Sequence, residues 1–179
     1  NIWGKTFRRE IAPSKEALGD FVNVKIGEDI IQSGYVLEKS DRVVYVDELL
    51  YFYRQHDSSM THSFNPDILL YSCIVAKYFY GVLERVSVSN GNREVFLGII
   101  DPLVVYDCCS SISSIVRHSG SVPVIPKEID CLYDAYERCP RNKVKKVQII
   151  VFELFKRKKF KELLFLLNLW DKVKKWKKF

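Results

Sequence analysis

The sequence predicts an α+β fold that is mainly helical, with its strands confined to the first third. Three observations carry this. Short β-branched and aromatic runs occur before residue 64, apolar residues recur at helical spacing after it, and Pro, Gly, Asn and Ser clusters separate the later segments. With 179 residues, 47% of them hydrophobic, the chain can bury a core as one domain plus an appendage. The expected division is residues 1–63 and residues 64–179.

Each element has a local reason. Glu28 to Lys39 is expected to be helical, with Ile30, Ile31, Tyr35 and Leu37 as its apolar contributors. "RVVYV" (42–46) favours a strand, and "LLYFYRQ" (49–55) follows as a second after Asp47–Glu48. Asp-Glu is not a preferred hairpin turn, so the pairing of the two stays open. From residue 64, Asn65 is placed to cap a helix with Pro66 at its first position. That helix is expected to reach Val86 and to break in "SVSNGN" (87–92). A second covers 93–117, kinked or broken at Asp101-Pro102, because Pro lacks an amide donor and disfavours helix before it. "HSGSVPVIP" (118–126) reads as a linker. Helices are then expected over 127–138, from about Asn142 to Lys156, and from about Lys158 onward.

Charge is unevenly distributed. Residues 141–179 hold 14 Lys/Arg against 3 Asp/Glu, whereas residues 1–140 hold 14 against 19. The net +6 is therefore a C-terminal property. In the last helix Phe160, Leu163, Leu164, Leu167, Trp170, Val173 and Trp176 recur along one face, with Lys158, Lys161, Lys172, Lys175 and Lys178 left for the others. A basic amphipathic helix of this kind suits either an anionic lipid surface, as peripheral membrane contact through residues 158–179, or packing on its own domain. No uncharged apolar run approaches the ~20 residues that cross a bilayer. No nucleic-acid-binding motif accompanies the basic tail, so no nucleic acid is expected as a partner. The five cysteines show no Cys-x-x-Cys spacing, which argues for buried thiols over a zinc site or a disulfide framework. The opening "NIWGK" has no initiator Met, basic n-region or apolar leader, and reads as the start of a fragment or processed chain.

Three stretches could carry chemistry. "KIGEDI" (25–30) places Glu28 and Asp29 behind Gly27. Acidic residues at a helix start are stabilised by the helix dipole without any catalytic role. "YFYRQHDSSMTHS" (51–63) gathers Arg54, His56 and Asp57 after a candidate strand, but its two His, six apart, have no standard ligand spacing. "IWGKTFRRE" (2–10) offers Trp3, Lys5, Arg8 and Arg9, which could hold a sugar or phosphate.

Together and in this order, "WGKTFRREI", "KIGEDI" and "DRVVYVDELLYFYRQHDSSMTH" resemble the C-terminal half of the catalytic domain of family-two glycosyltransferases. The resemblance covers residues 2–63 and implies the C-terminal part of a GT-A nucleotide-diphospho-sugar transferase fold, followed by a helical appendage. It implies an inverting transfer of a sugar from a nucleotide sugar to a saccharide or lipid-linked acceptor. By the same resemblance Asp29 is the general base and Glu28 its orienting neighbour. Trp3, Lys5 and Arg54 fall on the acceptor or diphosphate side, and His56 near a metal. The complete enzyme would use a divalent metal, Mg or Mn, held by an Asp-x-Asp motif. No Asp-x-Asp occurs in these 179 residues, so neither cofactor nor turnover is expected of this piece alone. Bacterial surface-polysaccharide synthesis, in the cytoplasm and peripherally at the inner face of the cell membrane, would suit these features. A non-catalytic helical interaction or membrane-docking module remains the alternative.

Overall fold

The computed structural model describes residues 5–48, 64–90, 92–119 and 124–176. Among these residues the regular structure is helical: α1 (Lys15–Leu18), α2 (Glu28–Glu38), α3 (Ile68–Asn90), α4 (Arg93–Ser119), α5 (Asp130–Arg138), α6 (Lys146–Lys156) and α7 (Phe160–Trp176). The chain divides into two compact units, one of residues 1–63 and 74–93, the other of residues 64–73 and 94–179. The boundary falls inside α3, between Cys73 and Ile74.

The mainly helical class holds. The expected strand at 42–46 does not form: these residues are irregular, and Val43, Val44, Tyr45 and Val46 are all exposed. A β-branched run becomes a strand only when a neighbouring strand and a buried face accept it, and no described residue supplies either. The second expected strand, 49–55, lies outside the described residues.

In the first unit, α2 packs Ile31 and Val36 with Val24, Ala76 and Leu83 as core residues. Tyr78 lies against Gly34, where an added Cβ would stand 2.7 Å from its ring. Phe21 meets the same ring edge-on at 5.1 Å. Arg85 donates to both carboxylate oxygens of Glu38, at 2.6 and 3.1 Å. This bond, to a carboxylate only 15% exposed, holds the Glu38 carboxyl below its ordinary value despite desolvation. A depressed pKa gives stability above the unfolded-state value and loses it as pH falls through the folded one. Glu38→Gln is therefore expected to lower stability at neutral pH. The difference from wild type should vanish below the carboxylate range, as read by urea unfolding at both pH values.

In the second unit, α3 begins as its cap residues require. Asn65 Oδ1 accepts from the Asp67 amide at 2.9 Å, and helical bonds follow from Tyr71. The helix runs past the expected Val86 and ends at Asn90, inside the "SVSNGN" stretch (87–92) expected to break it, since Ser and Asn weaken a helix without barring it. More instructive is α4, which continues through Pro102. Proline cannot donate to the carbonyl four residues earlier, that of Gly98, and Lys143 Nζ donates to it instead at 2.7 Å. Asp101, buried beside the proline, accepts two bonds of 2.9 Å from Arg138 at the end of α5. By length and composition alone α4 could cross a membrane. Ten of its residues are buried, including Val105, Cys108 and Ile112, which are wholly enclosed.

The α6–α7 corner is a Schellman turn. Lys158 takes the left-handed conformation at φ 56°, Lys159 N donates to Leu154 O, and Lys158 N donates to Phe155 O. The turn carries Phe160 to 6.0 Å from Phe155, and Leu163 and Leu167 enter the core. Internal packing thus claims the Leu163–Leu167 side of α7. A second apolar row, Phe165, Leu169 and Val173, is left exposed.

Candidate functional site

The turn before α2 is built on Gly27. Its φ of 88° is left-handed, and its carbonyl accepts from both Ile30 N and Ile31 N at 3.1 Å, starting the helix. A Cβ at Gly27 would stand 2.6 Å from Val75 Cγ2. Gly27→Ala is therefore expected to destabilise the first unit by more than the ~1–2 kcal/mol of a left-handed L-residue, because Val75 must also move. Thermal unfolding of the variant against wild type measures this.

Glu28 and Asp29 are the first two residues of α2, each half-buried. Among the described residues neither carboxylate enters a side-chain hydrogen bond or ion pair. The helix dipole favours both, by ~0.3–1 kcal/mol each. They are thus held by backbone geometry with their oxygens uncommitted.

One turn further on, Ser33 is 6% exposed and its hydroxyl has no partner. Ser40, Ser72 and Ser119 each donate to the carbonyl four residues back, at 2.6, 3.1 and 2.7 Å. Ser33 does not, so its hydroxyl is a buried polar atom in the turn after Asp29, at the spacing that shares a helix face. Sequence reasoning missed it, although a serine four residues after Asp29 in an apolar stretch was the available signal. The Tyr78 hydroxyl is likewise unpartnered, and burial together with the nearby Glu38 charge pushes its pKa up to about 12.

Of the other expected site residues, Lys5 is exposed and makes no bond to Glu28 or Asp29. Trp3, Arg54 and His56 lie outside the described residues. Among those described, no three His, Cys, Asp or Glu groups converge as a metal-ligand set.

The second unit contains a cavity of about 170 Å³ between α4, α6 and α7, lined by Tyr106, Cys109, Val147, Leu167 and Trp170 among others. Arg117 at its edge is paired with Asp171 at 2.8 Å. The Cys109 thiol donates to Gln148 O, and burial pushes its pKa up to about 12, so it is a poor nucleophile. None of the five cysteines forms a disulfide. Burial also holds the Cys108 thiol well above its usual range.

Comparison with family models, curated proteins and solved structures returns no match.

Proposed function

We propose that this chain supplies the acceptor side of an inverting, family-two-like glycosyltransferase of GT-A fold, acting on a saccharide or lipid-linked acceptor in surface polysaccharide or glycoconjugate synthesis. Asp29 takes the proton of the acceptor hydroxyl as its oxygen attacks the anomeric carbon. The bond from that carbon to the diphosphate oxygen breaks, and the nucleoside diphosphate leaves from the opposite face. Glu28 orients the acceptor or its neighbour carboxylate. Donor and metal binding belong to the complete enzyme, since no Asp-x-Asp lies in these residues.

The observation that carries the reading is the order of the three sequence motifs around the Glu28–Asp29 pair. What supports the base assignment is that Asp29 is half-buried, follows the Gly27 turn, and among the described residues enters no side-chain hydrogen bond or ion pair. The test is Asp29→Asn in the complete enzyme, with transfer and folding read side by side.

A further inference from the structure

The geometry points to α7 as a docking helix for an anionic lipid surface, through the row Phe165, Leu169 and Val173. These residues stand four apart and are 70%, 48% and 44% exposed. Trp170, 40% exposed, borders them. The opposite side of the same helix is already spent on the core by Leu163 and Leu167, exposed by 0% and 2%. The exposed row is thus a second apolar face, separate from the one that folds the unit.

Charge selects the occupant. Lys161 and Lys172 are exposed beside the row, and residues 141–179 carry 14 Lys/Arg against 3 Asp/Glu. Of the two carboxylates on α7, Glu162 lies in the first turn and Asp171 is paired with Arg117 at 2.8 Å. Another exposed apolar row, Val95, Ile99 and Leu103 on α4, has Glu94 and Asp107 near its ends and no comparable run of lysines. An apolar row edged by lysines matches the acyl–headgroup boundary of a bilayer containing acidic lipid, where the row enters the hydrocarbon edge and ammonium groups meet phosphates. The inference does not depend on glycosyl transfer.

The test is flotation of the full 179-residue chain with phosphatidylcholine vesicles, with and without about 30% phosphatidylglycerol. The chain is expected to float with the acidic vesicles, to stay in solution with neutral ones, and to be released by salt. The double variant Phe165→Ser, Leu169→Ser is expected to lose tenfold or more in partitioning. Its far-UV helical signal should be retained, because neither side chain is in the core. If that signal falls, Phe165→Ser alone gives the same reading at the more exposed position. Equal flotation of variant and wild type, or equal binding to neutral vesicles, overturns the proposal. So does a concentration-dependent dimer abolished by the same substitutions without vesicle binding, which would make the row a protein interface.

Discussion

Under the proposed function, Asp29→Asn is expected to lower the rate of glycosyl transfer by the complete enzyme by ~10²–10⁴-fold, the usual contribution of a positioned general base. Asparagine has nearly the same shape, so acceptor placement survives while the group loses its ability to accept the proton. The folded state should barely notice. No hydrogen bond or ion pair of Asp29 is broken among the described residues, and the lost dipole interaction is worth only ~0.3–1 kcal/mol. Glu28→Gln provides the comparison, with a smaller effect on rate if that residue orients rather than abstracts. An unchanged rate in Asp29→Asn, with the thermal transition also unchanged, removes Asp29 as base. The carboxylate pair would then be only a favourable helix start.

Phe152→Ala is expected to destabilise the second unit by ~3–5 kcal/mol, the cost of deleting a buried ring and leaving a cavity. Phe152 is fully enclosed. It stacks on Tyr136 with centroids 4.1 Å apart and meets Tyr133 edge-on at 5.8 Å. On Tyr136 the Arg141 guanidinium also lies 4.2 Å from the ring centre, and the Tyr136 hydroxyl donates to Glu153 at 2.8 Å. The ring of Phe152 therefore holds together α5, α6 and the turn between them, and neighbours committed to their own bonds cannot collapse into its place. Phe165→Ala, on an exposed ring of α7, is expected to stay within ~0.5 kcal/mol of wild type. Urea unfolding of the two variants measures the contrast directly; equal effects would mean that Phe152 is not part of the core.

Much of the fold could be read locally. The Glu28–Glu38 helix followed from its apolar spacing and its Gly-led acidic start, and the Asn65 cap from residue type and position. The uncommitted carboxylates of Glu28 and Asp29 were singled out from sequence as well. Ser33 was not, because a hydroxyl becomes noteworthy only when burial and the missing partner are both known.

By itself, then, the sequence determined where α2 and α4 begin, the helical periodicity, and the basic character of the last 39 residues, since these depend on residue types within about a turn of one another or on composition. The short α1 went unread, and α6 begins at Lys146, later than the expected Asn142. Tertiary structure alone decided the rest. It left 42–46 irregular and exposed. It brought Lys143, 45 positions away, to the Gly98 carbonyl that Pro102 leaves without its amide donor. On α7 it chose Leu163 and Leu167 for the core and left Phe165, Leu169 and Val173 outside. Periodicity shows that a helix has apolar faces; which one is buried depends on side chains contributed by distant parts of the chain.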